Sequence, residues 1–161
     1  MLPYRSRHNP AKVRMPRNTH RNGVPADIFL ERFKALVSAL PSSRKHFAGW
    51  MRDADVDSDV ADDLEVVFSE LTANAVAGSP AESDDIEVRA QIDDGMMVLD
   101  VSNLVEDPDR RPHTATDIGD PLRRGGRGLL ITRSFMDSVE VQTEQMDRLV
   151  VHCSRRVAPA R

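Results

Sequence analysis

The feature that most constrains the fold is a long run of helical apolar periodicity in the middle of the chain. Apolar residues recur at three- and four-residue spacing, which predicts an amphipathic α-helix with one buried face. The positions are Val56, Val60, Leu64, Val67, Leu71 and Ala75. Gly78-Ser79-Pro80 then ends the pattern, because glycine and proline terminate helices. We therefore expect a helix over Asp57–Val76.

Two polar residues near the end of this helix are placed to act together. Glu70 and Asn74 are four residues apart, so on a helix they lie on the same side, one turn from each other. Their neighbours are apolar, and a carboxylate beside a carboxamide suits Mg²⁺ coordination through oxygen and the activation of a hydroxyl or water. A solvated polar helix face is the alternative, and the pair taken alone favours it.

A glycine-rich segment follows about fifty residues downstream. Gly125, Gly126, Arg127, Gly128 and Leu129 come after a polar loop and open a second helical run. Small residues let the backbone approach an anion, and the first free N–H groups of a helix bind phosphate oxygens. Most glycine clusters are only flexible turns. The position of this cluster after the polar helix and a predicted hairpin favours a phosphate-binding segment over a flexible turn.

The region between the two motifs predicts a β-hairpin. Ile86–Ile92 and Met96–Ser102 each alternate apolar and polar residues, as half-buried strands do. Asp93-Asp94-Gly95 supplies the turn between them. Near the carboxyl end, Leu149–Cys153 is an apolar segment that suits a further strand.

Together the motifs resemble those of the histidine-kinase-like ATPase superfamily. The run Glu70-Leu71-Thr72-Ala73-Asn74-Ala75 resembles its asparagine box, and Arg127-Gly128-Leu129-Leu130 resembles the turn of its second glycine box. The likeness is greatest to small actinobacterial ATP-binding proteins related to anti-sigma-factor serine kinases. It covers roughly residues 41 to 153. It implies an α/β fold, a two-layer sandwich in which a mixed, mostly antiparallel sheet carries helices on one face. The helices expected are Ser42–Met51, Asp57–Val76 and Gly128–Met136.

The segment before Pro41 has two readings. Phe29–Leu40 is apolar-rich, and its composition alone suits a helix. By likeness to the family, the first strand would instead lie around Lys34 to Leu40. In either case, Ser42 or Ser43 is expected to cap the helix that follows.

The resemblance also implies roles for individual residues. The implied cofactors are ATP and Mg²⁺, with Asn74 as the metal ligand. Glu70 would be the catalytic carboxylate that orients or deprotonates a serine hydroxyl of a partner protein. The residues implied to hold the phosphates are Gly125, Gly126, Arg127, Gly128 and Leu129.

The chain departs from the family at the residues implied to contact adenine. Asn103 stands where the family has an aspartate that accepts from the adenine amino group, and Val105 replaces a glycine two residues later. An asparagine oxygen still accepts that hydrogen bond, without the strength that a charge adds. In the last strand, Arg148 falls where the family often has a threonine near the adenine.

The function implied is that of an ATP-binding regulator of a transcription or sigma factor. It would act by binding a sigma factor or an anti-sigma-factor antagonist, and its enzymatic form would be a serine/threonine protein kinase that phosphorylates the antagonist. A homodimer is left open. The altered adenine residues motivate an alternative, a non-catalytic regulator that sequesters its partner with weak or no nucleotide binding.

Charge is distributed unevenly along the chain. Residues 1–26 carry six Lys/Arg and no acid, whereas the remainder holds 16 Lys/Arg against 26 Asp/Glu. We expect residues 1–28 to be a disordered basic arm, followed by the ATPase-like domain at 29–156 and a tail at 157–161. A nucleic-acid contact through the arm is a further reading, disfavoured because the arm lacks interleaved aromatic residues.

Apolar runs and cysteine content indicate where in the cell the protein is expected to lie. The chain has no apolar run long enough for a membrane span and no apolar segment typical of a secretory signal. Cys153 is the single cysteine, so no internal disulfide can form, as suits a reducing compartment. We expect a cytoplasmic protein without a membrane partner.

Overall fold

The computed structural model describes residues 28–106, 126–145 and 147–157. Within these ranges the chain forms five strands and three α-helices, and a short 3-10 turn at Val37–Ala39 leads into the first helix. In chain order the elements are β1 (Ile28–Lys34), α1 (Leu40–Asp53), α2 (Ser58–Gly78), β2 (Asp85–Asp93), β3 (Met96–Leu104), α3 (Gly126–Phe135), β4 (Ser138–Glu144) and β5 (Arg148–Arg156).

The strands form one sheet in the order β1-β2-β3-β5-β4, and each pairing is antiparallel. Alternate residues of each strand face the helices, as Val88 and Ala90 show by their burial, while the exposed Arg89 between them faces away. The other side, which none of the described helices covers, is called the open face below. These features confirm the predicted α/β two-layer fold with helices on one side of the sheet.

The core is filled by apolar side chains from both layers. Its centre is an aromatic cluster in which Phe47 of α1 stacks on Phe68 of α2, with ring centroids 4.3 Å apart. Phe29 of β1 meets Phe47 edge-on at 5.5 Å and lies 5.7 Å from Trp50. Aromatic pairs in these arrangements add to the stabilisation from burial, so this cluster joins β1, α1 and α2.

Local sequence explains where α2 and the hairpin begin and end. Asp57 is the N-cap of α2 and accepts a hydrogen bond from the Asp59 N–H at 3.1 Å. The helix ends at Gly78, two residues beyond the predicted end at Val76 and at the first residue of the predicted Gly78-Ser79-Pro80 terminator. Between β2 and β3, Asp94 and Gly95 both have positive φ, 48° and 73°. That backbone suits the primed turns of tight hairpins, and the neighbouring pairing of β2 with β3 confirms the predicted hairpin.

The expectations for the amino-terminal part need correction. The first strand is Ile28–Lys34 and not the segment around Lys34 to Leu40, and the helical reading of Phe29–Leu40 is wrong. Helix α1 already begins at Leu40 and carries Pro41 in its first turn, where the missing N–H has no helical acceptor to lose.

Neither serine caps α1, because its N-cap position is Ala39, which makes no side-chain cap. The Ser43 hydroxyl is buried and donates to Glu31 Oε2 at 2.6 Å. His46 Nδ1 donates to the other oxygen of the same carboxylate at 2.7 Å. Ser43 therefore links α1 to β1.

Strand β4 was not predicted from the sequence. Its alternation of Val139 and Val141 with polar residues was the available signal. The predicted basic arm lies almost wholly outside the described residues, so its predicted disorder stays a prediction. None of the helices in the described ranges is long and apolar enough to cross a membrane.

Thiol labelling of Cys153 tests whether the helix-facing side of the sheet is buried. The side chain is fully buried, and its thiol lies 3.4 Å from the Leu99 carbonyl oxygen. Burial, with a smaller contribution from Asp100, raises the pKa of the thiol from 9.0 to about 12. We expect the folded protein to resist thiol labelling at neutral pH, whereas the urea-unfolded chain should react fully.

The same pKa shift predicts a pH dependence of stability. The unfolded thiol loses its proton near pH 9, while the folded thiol holds it until about pH 12. The free energy of unfolding should therefore fall across this interval, and Cys153→Ala should lack that part of the decline. Denaturant titrations of both proteins at several pH values measure the difference in slope. Rapid labelling of the folded protein would contradict the burial.

Candidate functional site

Glu70, Asn74 and Gly78 form a stripe along one side of α2, called the α2 stripe below. They follow each other at four-residue spacing, so each lies one turn from the next. Glu70 and Asn74 are half-buried. Within the described residues neither side chain forms a hydrogen bond or ion pair. Half-buried polar groups without protein partners are available to a ligand.

Gly128, in the first turn of α3, packs directly on the first two residues of the stripe. A Cβ at this position would lie 2.7 Å from Asn74 Nδ2 and 3.0 Å from Glu70 Oε2. The first distance is shorter than a Cβ contact allows and the second is unusually tight, so any larger residue here would displace the ends of the Asn74 and Glu70 side chains. The first N–H groups of a helix lack helical acceptors and carry its positive dipole end. The contact thus brings a carboxylate, a carboxamide and the first turn of a helix together.

Asn103 lies at the other end of the α2 stripe. It is buried on β3, and its Nδ2 would lie 3.5 Å from a Cβ at Gly78. Nδ2 donates to the Leu104 carbonyl oxygen at 2.8 Å, and no residue in the described ranges donates to Oδ1. An aspartate here would bring a carboxylate against that carbonyl, so the asparagine suits its surroundings. Sequence reasoning had used Gly78 only as a helix terminator, although its spacing from Asn74 was the signal for a further role.

Arg148 does not belong to this side of the sheet. Its guanidinium donates to Ser102 Oγ at 3.1 Å and lies 3.9 Å from Glu87 on the open face. The residue of β5 that pairs with Asn103 is the buried Leu149. Because neighbouring residues of a strand face opposite sides of the sheet, Arg148 faces away from Asn103. Placing Arg148 near the adenine was therefore wrong.

The described ranges cover the predicted phosphate-binding residues unevenly. Gly125 lies outside them. Gly126 and Arg127 are the first residues of α3, Gly128 contacts the stripe, and Leu129 follows as a half-buried residue. The roles assigned to these residues stay predictions, and the geometry adds the contact at Gly128.

The sheet also carries a surface concavity, at a different place from the predicted site residues. A shallow concavity lies on the open face, lined by residues of both charge signs such as Arg32, Glu87 and Asp100. It lies on the opposite side of the sheet from the α2 stripe and contains none of the predicted site residues. We place the candidate site at the stripe because unpartnered polar groups and a glycine contact meet there.

Comparisons with known proteins agree with the fold and the position of the motifs. Residues 33–152 match the family model of the histidine kinase-like ATPase domain. The chain therefore belongs to this family, as its motifs had indicated. A comparison with curated proteins finds no match.

Two solved structures share the fold. The RsbU and RsbW domains of Rv1364c from Mycobacterium tuberculosis superpose with a TM-score of 0.62 at 19% identity, over 85% of this chain and 34% of that one. The SiaB-SiaC complex from Pseudomonas aeruginosa gives a TM-score of 0.65 at 16% identity, over 80% of this chain and 90% of that one. The chain thus spans about a third of the length of that Mycobacterium chain. At sequence identities this low, the structural similarity shows a common fold and nothing further.

Proposed function

We propose that the protein binds Mg-ATP along the α2 stripe and uses it to regulate a protein partner. The observation that carries the proposal is the packing of Gly128 on Glu70 and Asn74, two polar residues with no partner in the described part of the chain. Membership of an ATPase-domain family supports a nucleotide as the ligand. The separate position of Asn103, beside Gly78, suits a ligand with a base at one end and phosphates at the other.

The residues present fit a magnesium nucleotide. Asn74 Oδ1 offers an oxygen ligand of the kind that Mg²⁺ prefers. The described residues contain no group of three or more His, Cys, Asp or Glu that could hold a metal by itself, so phosphate oxygens and water would complete the coordination. When bound, Mg²⁺ supplies charge neutralisation on the phosphates. The first turn of α3 would donate N–H groups to the same phosphates, and Asn103 Oδ1 would accept from the base.

Glu70 would act on the attacking group. Its carboxylate is half-buried beside the first turn of α3, where it can orient a hydroxyl and take its proton. In phosphoryl transfer, such positioning and charge stabilisation carry most of the catalysis. The proposed reaction is transfer from ATP to a serine of a protein partner.

The proposed partner is a sigma factor or an antagonist of an anti-sigma factor. Two structures with this fold support a protein partner, one containing an RsbW domain and the other solved as the SiaB-SiaC complex. A second candidate is a regulator that sequesters its partner without catalysis. The neutral Asn103 supports it, because the base would be held without a charge-assisted bond. A test of transfer to the partner separates the two.

Asn74→Ala should remove the metal-dependent part of nucleotide binding. The variant loses an oxygen ligand of the ion, which we expect to weaken Mg-ATP binding by about tenfold to a hundredfold. Calorimetric titration with Mg-ATP, and with ATP in the presence of EDTA, measures the effect. The parent should bind more tightly with Mg²⁺, whereas the variant should bind equally weakly in both conditions.

The matched control is Gln142→Ala, which removes a carboxamide from the exposed edge strand β4. This variant should bind like the parent. If Asn74→Ala also binds Mg-ATP as tightly as the parent, Asn74 is not the metal ligand. If the parent shows no binding at all, the proposed ligand is wrong.

A further inference from the structure

Thr132 in α3 has a buried hydroxyl that bonds to the residue contacting the α2 stripe. Its side chain is fully buried, and its Oγ1 donates to the Gly128 carbonyl oxygen at 2.8 Å. Within the described residues this is the one hydrogen bond of that hydroxyl. The buried threonine and the site glycine are thus directly connected.

Stability alone does not explain a threonine at this position. Threonine is a weak helix former, and a hydroxyl that bonds back to the carbonyl one turn earlier tends to bend the helix. Valine has nearly the same shape and would bury a methyl group where the hydroxyl now lies. Packing therefore gives no reason for a hydroxyl at this position.

We propose that Thr132 is a positioning residue, whose hydroxyl fixes the first turn of α3 against Asn74 and Glu70 and so sets the affinity for the nucleotide phosphates. The inference rests on the proposed function, because the ligand is the same Mg-ATP. Thr132 itself is too deeply buried to touch that ligand, so it acts through Gly128.

The planarity of the peptide bond supplies the physical link. The Gly128 carbonyl and the Leu129 N–H belong to one rigid plane and point in opposite directions. A hydroxyl that holds the carbonyl therefore also fixes the direction of the Leu129 N–H. Because α3 begins at Gly126, the N–H groups that have no acceptor within the helix include those of its first three residues, and Gly128 is one of them. By holding the peptide that follows Gly128, Thr132 would seat Gly128, together with the free N–H of that residue, against the stripe.

Two variants separate the hydroxyl from the methyl group. Thr132→Val keeps the shape and loses the hydroxyl, so we expect Mg-ATP affinity to fall about fivefold to tenfold while the melting temperature stays equal or rises. Thr132→Ser keeps the hydroxyl and loses the methyl, so affinity should stay near that of the parent while the melting temperature falls. Calorimetry and thermal unfolding of both variants show whether affinity follows the hydroxyl or the stability.

Thr72→Val is the matched control. Thr72 is also buried, and its hydroxyl donates to the Phe68 carbonyl at 2.7 Å in the middle of α2. It makes the same kind of bond to a residue outside the proposed site. We expect this variant to bind Mg-ATP like the parent. If Thr72→Val lost as much Mg-ATP affinity as Thr132→Val, loss of any buried hydroxyl would weaken binding. That result would overturn the positioning role of Thr132.

A second measurement does not depend on nucleotide. In NMR spectra of the ligand-free protein, the resonances of the Leu129 backbone amide and the Asn74 side-chain amide should shift in Thr132→Val. In Thr132→Ser they should stay at their positions in the parent. If neither shifts in Thr132→Val, the positioning role is wrong even if the parent binds ATP. If the parent fails to bind ATP, the proposed function fails, and the two resonances still decide whether Thr132 positions α3. Unchanged affinity of Thr132→Val for Mg-ATP would also overturn the inference.

Discussion

Gly128→Ala should weaken Mg-ATP binding by about a hundredfold or more. The added methyl group would lie 2.7 Å from Asn74 Nδ2 and 3.0 Å from Glu70 Oε2. The end of the Asn74 side chain must then move away, and the Glu70 carboxylate must give way by a smaller amount. Because both contacted atoms are the ends of flexible side chains, we expect little loss of stability, and the main effect is to displace the proposed metal ligand and the proposed catalytic carboxylate together. Calorimetry with Mg-ATP, beside denaturant unfolding, measures both consequences.

Gly49→Ala is the control for the same chemical change. Among the described residues, a Cβ at Gly49 in α1 would meet only Arg52 Nη2, at 3.9 Å. Alanine is the better helix former, so this variant should gain up to about 1 kcal/mol of stability and bind Mg-ATP like the parent. Parent-like binding by Gly128→Ala would show that the close approach of α3 is not part of the nucleotide site.

Glu70→Gln should abolish transfer while sparing binding. The amide keeps the size of the side chain and cannot take a proton, so we expect the rate of phosphoryl transfer to fall by about a hundredfold to ten-thousandfold. The residues proposed to hold base, metal and phosphates are unchanged, so Mg-ATP affinity should stay within about threefold of the parent. The assay is transfer of label from γ-labelled ATP to a candidate partner protein, with calorimetry on the same samples.

Glu65→Gln is the control on the same helix, because Glu65 lies five residues earlier and so on a different side of α2. It should transfer at the parent rate. Full activity of Glu70→Gln would exclude Glu70 as the base. If parent and variant both bind Mg-ATP and neither transfers label, the sequestering function becomes the better proposal.

Helix α2 and the β2–β3 hairpin could be predicted because their signals are local. The apolar repeat before Glu70 marks one face of a helix over many turns, and Asp94-Gly95 can adopt the positive φ angles that a tight turn needs. Such preferences act between residues within a few positions of each other. They therefore operate in the sequence before any tertiary contact forms.

The amino-terminal part and β4 were harder to predict because their structure depends on distant partners. Strand β1 forms by pairing with β2, far along the chain, and its residues alone also suit a helix. Ser43 looked like a helix cap and instead donates to Glu31. Strand β4 lies at the sheet edge and pairs only with β5, so its short alternation carried little weight by itself.

The sequence by itself determined that Glu70 and Asn74 share one side of a helix, because four-residue spacing has that meaning on any α-helix. It also predicted a glycine-rich helix start that could bind phosphate. Only the tertiary structure decided that Gly128 packs on that pair, that Asn103 meets the far end of the α2 stripe, and that Arg148 faces away. These contacts join residues distant in the chain. They arise from the strand order and from the packing of α3 on α2, which no local spacing encodes.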